Sequence, residues 1–239
     1  MVSIEPVTGF FQDLLSSDRD ILPRVLLGKA ATITSGHARV LGYRTADSPF
    51  WCVGFKGKAE AMEMNEVTLE TERLLLRWLR EDDFDQYAAI CRDPEVMRFL
   101  GAQVLSDIEV WRHLAYFMGH WYFRGYRIWA VEEKSSGNLI GRIGFMNPVG
   151  WPAFELGWTL ARESWGKGYA TEGARRALAY AFTELKRDHV ISLIAPANFA
   201  SAKVAERLGE KIEGKTELYG NEVLVYGIGR EQWSASQGK

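Results

Sequence analysis

The sequence predicts an α+β domain built on an antiparallel meander, and three observations predict it. Three strand-like runs follow one another, Arg127 to Glu132, Leu139 to Phe145 and Phe154 to Leu160, separated by turn-forming stretches. A glycine turn, Gly166-Lys167-Gly168, then opens a helix with its apolar and small residues on one face. After that helix the chain reads strand, helix, strand, strand, and runs of strands mixed with helices in this way belong to the α+β class.

The first 65 residues stand apart. Phe10 to Leu15 reads as a short helix and Ile21 to Leu27 as an apolar patch. Glycines at 28, 36, 42, 54 and 57 then interrupt any sustained period, and Lys56 to Asn65 reads as a polar, Ala-rich linker. Two readings stay open for residues 1–65: an appended arm or small subdomain, or sequence upstream of an original start near Met62 and Met64. The organised domain is expected over residues 66–235.

That domain begins at Val67. Arg73 to Leu79 reads as a strand, although its leucine run also suits a helix. Asp82-Asp83 starts a helix with Phe84, Tyr87, Ala88 and Cys91 on one face, and Pro94 follows it. Ser106 with Glu109 forms a capping box. Ile108, Trp111, Ala115, Met118 and Tyr122 then step like the apolar stripe of a docked helix that ends at Gly125. Ser135 to Asn138 and Asn147 to Pro152 connect the meander strands. The helix after the glycine turn carries Ala170, Ala174, Ala177, Leu178, Ala181, Phe182 and Leu185 on one face, small enough to pack closely on a sheet. His189 to Ala195 is a strand. Asn198 caps a helix that runs to Leu208 and stops at Gly209. Lys211 to Glu217 and Glu222 to Ile228 close the chain as strands around Tyr219-Gly220-Asn221.

Composition narrows the function classes. At 239 residues and 47% hydrophobic, the chain can bury a sizeable core. A formal net charge of −2 gives no basic footprint for nucleic acid. Nine Trp point to an aromatic core or an aromatic-lined pocket. Cys52 and Cys91 lie in different segments and read as reduced thiols, and the histidines at 37, 113, 120 and 189 make no metal-binding pattern, so no metal is expected. The start lacks a basic n-region and apolar h-region, and no run of 18 apolar residues occurs. The expectation is a cytoplasmic protein with no membrane partner.

The stretch Ser164-Trp165-Gly166-Lys167-Gly168-Tyr169-Ala170-Thr171-Glu172 carries the chemistry. A glycine turn at a helix N-terminus offers free N–H donors and the positive end of the helix dipole to an anion. Its spacing fits neither a P-loop nor a dinucleotide fingerprint. An ordinary tight turn is the bland alternative.

The segment resembles motif A of the GNAT N-acetyltransferases, with Trp165, Gly168 and Ala170 at its marked positions. Its Trp-Gly-Lys-Gly-Tyr-Ala-Thr-Glu form is similar to the branch containing the ribosomal-protein N-terminal acetyltransferases. Thr71 to Arg77, Asp93 to Met97, the Gly137 to Gly141 hairpin, Glu155 to Trp158, Asn198 with Ser201, Glu206 to Gly209 and Val223 to Tyr226 match that branch in order, over about residues 67–230. The resemblance implies a mixed, mostly antiparallel sheet of six to seven strands, splayed between its fourth and fifth and flanked by about four helices. It also implies acetyl-CoA as co-substrate, with the N–H groups of Gly166, Lys167, Gly168, Tyr169, Ala170 and Thr171 around the pyrophosphate. Lys167 adds charge there or is simply solvated. Trp158, Thr159 and Leu160 would meet the pantetheine arm, and Asn198 would meet it from the far side or serve only as a helix cap.

Acetyl transfer to an amine needs a neutral nucleophile, hence a group that takes its proton. Glu155, an acid inside an apolar run, is one candidate base, and Glu217 is a second. For each, a solvated glutamate is the alternative. Ser201 is the candidate donor to the leaving thiolate, or a residue that supports the helix start. The acceptor implied is a small-molecule or peptide primary amine, by direct attack in a ternary complex. A non-catalytic acyl-CoA-binding module is the competing function. The family's frequent homodimers make a dimer an expectation as well.

Overall fold

The computed structural model describes residues 31–35, 38–43, 52–56, 67–101 and 103–237. The expectations for Phe10 to Leu15, for Ile21 to Leu27 and for the linker beyond Lys56 lie outside these residues. By their contacts the residues divide into two units, Met1–Asn65 and Glu66–Lys239.

In the first unit, strands β1 (Ala31–Ser35), β2 (Ala38–Tyr43) and β3 (Cys52–Lys56) form an antiparallel sheet in that order. The sequence showed no period there because glycines sit inside the strands: Gly42 pairs with Ala31 on one side and Val53 on the other, and Gly54 pairs with Leu41.

The second unit holds an eight-stranded sheet in the order β10-β11-β9-β8-β7-β6-β5-β4. Its strands are β4 (Leu69–Glu70), β5 (Leu74–Arg77), β6 (Ile128–Glu133), β7 (Asn138–Met146), β8 (Glu155–Leu160), β9 (His189–Ile194), β10 (Lys211–Leu218) and β11 (Asn221–Gly229). Six α-helices accompany it: α1 (Phe84–Arg92), α2 (Pro94–Met97), α3 (Asp107–Arg124), α4 (Tyr169–Thr183), α5 (Phe199–Leu208) and α6 (Arg230–Gln237). The two-residue β4 and the short α2 and α6 account for the excess over the expected count.

Pairing is antiparallel except between β8 and β9, which run parallel and pair at a single register position, Glu155 with Ile191. The sheet separates two cores. Leu74, Leu76, Trp129, Ile143, Phe145, Leu156 and Leu160 meet Ala174, Ala177, Leu178 and Ala181 of α4. On the other face Ile128, Ala130 and Leu139 meet Tyr87 and Ala88 of α1 and Val110, Leu114 and Phe117 of α3.

The α4 face forms as expected, and Gly173 belongs to it: a Cβ there would lie 2.6 Å from Ile143 Cδ1. The capping box of α3 forms with both its bonds. The expected stripe of α3 does not dock. Ile108, Trp111, Met118 and Tyr122 are exposed, and Val110, Leu114, Phe117 and Trp121 are buried instead. Both stripes have helical spacing and both are apolar, so periodicity alone could not choose between them. The β10–β11 turn, Tyr219-Gly220, has positive φ at both residues, as a two-residue hairpin of right-handed twist requires.

Candidate active site

The glycine turn is built as a junction. A short 3-10 turn, Arg162–Ser164, leads from β8 into Trp165, whose indole N–H donates to Leu160 O at 2.9 Å. Gly166 and Gly168 then take left-handed φ of 74° and 84°, a region that glycine enters without Cβ strain, and Gly168 is the N-cap of α4 with no capping side chain. The first N–H beyond the turn to find a protein acceptor is that of Glu172, on Gly168 O at 3.0 Å. Among the described residues, those of Gly166 through Thr171 donate to none.

A clamp from the opposite end of the domain holds this turn. Glu172 Oε1 accepts from Thr71 Oγ1 at 2.6 Å and from the Arg73 amide at 3.0 Å, while Oε2 accepts from Arg73 Nε at 2.7 Å. The same guanidinium donates through Nη1 to Lys167 O at 3.0 Å and lies over the Tyr169 ring. Tyr169 in turn donates to Glu133 Oε1 at 2.5 Å. Burial raises the Glu172 carboxyl, and the bonds from Thr71 and Arg73 together with the Arg73 charge outweigh it, so the carboxyl is lowered from its ordinary value. The sequence motif includes Glu172, but its partners lie about a hundred residues away and leave no local signal.

The turn opens into a cleft of about 1330 Å³. Trp158, Thr159, Leu160, Gly166, Lys167, Gly168, Tyr169, Ala170, Thr171, Asn198 and Ser201 all line it, so ten expected cofactor contacts and the expected thiolate donor share one cavity. Arg175, Arg176, Lys203 and Arg207 line it too, a cationic rim that single positions in the sequence did not single out. Asn198 Oδ1 accepts the Ser201 N–H at 3.1 Å as a helix cap, which leaves the amide N–H donors of Asn198 for another partner.

Glu155 lies at the single point where β8 and β9 pair. It is buried, its Oε2 accepts from the Trp151 indole at 2.6 Å, and the Leu193 N–H also donates to it. Burial pushes its carboxyl up to about 7, against those two donors and the Arg142 charge, which favour the ionised form. Trp151, in a loop that reads either as a rigid aromatic lip or as a turn packed on the core, thus holds Glu155, and its ring also meets Tyr219 edge-on at 6.0 Å.

Glu217 sits apart in character. It is exposed on β10, opposite Glu222, and its side chain makes no hydrogen bond or ion pair among the described residues. A second buried acid, Glu210, had no sequence signal, because a glutamate following a helix-ending glycine reads as solvated. It is 2% exposed, and Ser192 Oγ lies 3.1 Å from its Oε1 and donates to Leu156 O at 2.9 Å, bridging β9 to β8. Burial first, then the charges of Glu155 and Glu213, push Glu210 up to about 8.

The residues present fit the anionic, extended ligand that the sequence resemblance implies: unpaired N–H donors on a helix N-terminus, a cationic rim, and a cleft running along Trp158 to Leu160 of β8. No group of three or more His, Cys, Asp or Glu that could hold a metal occurs among the described residues, and none of their helices is long and apolar enough to cross a membrane.

Known proteins resemble this chain over the same region. Residues 73–211 match the acetyltransferase (GNAT) domain family. The protein YkkB of Bacillus subtilis (strain 168) is 31% identical over 172 residues, covering 68% of this chain and 96% of its own length. The crystal structure of the acetyltransferase from Agrobacterium tumefaciens str. C58 superposes with a TM-score of 0.62 at 31% identity, over 68% of this chain and 94% of that one. The spermidine N-acetyltransferase from Vibrio cholerae, solved in complex with CoA and spermine, shares the fold at 23% identity with a TM-score of 0.57, over 69% of this chain and 99% of that one.

Proposed function

The chain belongs to the GNAT acetyltransferase family, and from that premise we propose that it transfers the acetyl group of acetyl-CoA to a primary amine by direct attack in a ternary complex. The observation that carries the reading is the juxtaposition in one cavity of the Gly166–Thr171 donors with Trp158, Thr159 and Leu160 of β8, the strand whose first residue, Glu155, is buried at its single pairing with β9. The N–H groups of the turn hold the pyrophosphate, and the basic rim adds long-range attraction. Asn198 Nδ2 donates to the pantetheine arm while its oxygen caps α5. Beyond Glu155 the ladder between β8 and β9 does not continue, which supports the expected splay and leaves strand-edge groups to pair with an extended chain.

Acetyl-CoA supplies the acyl group already activated as a thioester. Glu155 accepts the proton of the attacking amine, directly or through one water, and a carboxyl near 7 is matched to that task at neutral pH. The Trp151 and Leu193 donors fix the orientation of its two oxygens. Ser201, which lines the cleft, donates to the departing thiolate in this reading. Glu217 is not needed in this scheme.

The test is a primary-amine panel with acetyl-CoA and thiol release as readout, run on the native protein, Glu155→Gln and Gly168→Glu. Transfer by the native protein is expected. Glu155→Gln is expected to lose about 10²–10⁴-fold in kcat with acetyl-CoA affinity kept. Gly168→Glu, which puts a side chain and a negative charge into the anion seat, is expected to abolish acetyl-CoA binding. Full activity in Glu155→Gln would overturn the base, and unchanged affinity in Gly168→Glu would overturn the seat.

A further inference from the structure

Arg142 lies on β7 and is 8% exposed. Its Nε donates to Tyr87 Oη at 3.1 Å, and its guanidinium stacks on Phe117 at 5.0 Å. Tyr87 passes the chain on, its hydroxyl lying 3.1 Å from His113 Nδ1. Every member of this chain besides Arg142 is neutral. Burial, then the Arg142 charge, hold His113 down to about 3, and burial keeps the Tyr87 phenol protonated. Among the described residues no carboxylate forms an ion pair with Arg142, and its two terminal nitrogens have no hydrogen-bond partner. Those nitrogens are nevertheless not sealed from the surface. The Glu155 charge acts on Arg142 at longer range, but no described carboxylate lies within ion-pair distance of it, and its planar fork is the natural partner of one.

The surroundings say where the carboxylate would come from. Arg142 pairs in register with Thr159, and Met146 with Glu155, so all four side chains share the sheet face covered by α1 and α3. Thr159 Oγ1 is fully buried without a partner, and Thr159 lines the cleft. Between Thr159 and Glu155 lies Gly157, where an added Cβ would meet only Glu155 Oε1, at 3.9 Å. The strand therefore presents a donor pair at one end, a bare floor, and the base at the other, roughly 13 Å apart at the backbone before side chains close the distance. Tyr116, on α3, feels the charges of Glu155 and Arg142 together.

We propose that Arg142, supported by the Thr159 hydroxyl, anchors a carboxylate on the acceptor, so that the favoured substrates are amines bearing a carboxylate within a few bonds of the amino group, α-amino acids first among them. The inference rests on the amine-acetylation reading and assigns its substrate class. The anchor binds and orients; no proton passes through it.

The experiment compares L-phenylalanine, L-methionine and L-lysine with phenethylamine, 3-(methylthio)propylamine and cadaverine, the same molecules without the carboxylate. The amino acids are expected to show at least tenfold higher kcat/KM. Assayed at a pH where Glu155 is fully ionised, since loss of the Arg142 charge raises that carboxyl further, Arg142→Met is expected to raise their KM at least tenfold with kcat and acetyl-CoA affinity little changed, and to leave the decarboxylated amines unaffected. Arg142→Lys, which keeps the charge but not the fork, is expected to recover part of the KM, and reports on its own if the Met variant does not fold. Calorimetric titration of N-acetyl-L-phenylalanine and N-acetylphenethylamine into the CoA-bound protein reads the anchor without turnover. The acid is expected to bind more tightly, and Arg142→Met or →Lys to reduce the difference. Equal handling of the acids and the decarboxylated amines overturns the anchor, as does an unchanged KM in both Arg142 variants. If no amine is acetylated, the transfer reading fails, and the calorimetry still decides the anchor separately.

Discussion

At the scale of single residues, two buried carboxyls at the β8–β9 junction have opposite consequences for activity and stability. Glu155 must be ionised to accept a proton, and its carboxyl lies near 7 because burial outweighs the Trp151 and Leu193 donors. Transfer is therefore expected to rise with pH through about 7 and then level, and Glu155→Gln to flatten that rise; a native profile without an inflection between pH 6 and 8 would remove Glu155 as the base. Glu210, pushed up to about 8, binds a proton in the fold that the unfolded chain releases near pH 4. A raised folded value contributes stability that is fully present below the unfolded pKa and is lost as pH climbs through the folded one. Glu210→Gln is thus expected to gain on the order of a few kcal/mol over the native protein by pH 9 and nothing near pH 4, read as the difference in melting temperature across that range. An equal offset at both pH values would show that Glu210 is not held protonated. Glu155 was legible in the sequence as an acid within an apolar run. Glu210 and Arg142 were not, because their burial depends on what β9, α1 and α3 bring over them.

Among the elements, legibility follows locality. The glycine turn and its helix are specified by neighbours in sequence: two left-handed glycines and a small-residue face are each complete within a few positions, as is the capping box that starts α3. Helix α3 shows the converse. It has two apolar stripes, and only contact with α1 and the sheet decides which one docks. Leu114→Ala, on the buried stripe, is expected to cost about 2–4 kcal/mol, whereas Ile108→Ala, on the exposed one, is expected to stay within about 0.5 kcal/mol. Chemical denaturation of the two variants decides it, and the reverse order would mean that α3 is rotated by about half a turn from its position here. The single register pair between β8 and β9 left no mark on either segment's own pattern, and a splay there was expected only through the family resemblance, since such pairing is a property of the space between two segments.

For the whole molecule, the active cleft is stapled to the N-terminal edge of its own domain. Leu69 on β4 is 1% exposed, Val67 O accepts the Trp129 indole N–H at 2.8 Å, and Thr71 Oγ1 bonds Glu172 at 2.6 Å in the first turn of α4. The family match begins only at Arg73, inside that staple. We expect the acetyltransferase unit to comprise residues 66–235, and a chain beginning at Glu66 to fold and bind acetyl-CoA without residues 1–65. A chain beginning at Arg73 would expose the Leu69 site, leave the Trp129 N–H without its acceptor and remove one of the bonds that hold Glu172. Deleting a buried leucine and orphaning a buried donor each cost about 2–4 and 1–3 kcal/mol. Against a total stability of about 5–15 kcal/mol that loss is large, and for a unit of this size it corresponds to roughly 10–20 °C in melting temperature. Because Glu172 and Arg73 together position the Lys167 carbonyl, acetyl-CoA affinity is expected to fall along with stability. Equal melting temperatures and affinities for the two chains would mean that β4 is dispensable, and failure of the Glu66 chain to fold would place part of the domain's core in residues 1–65.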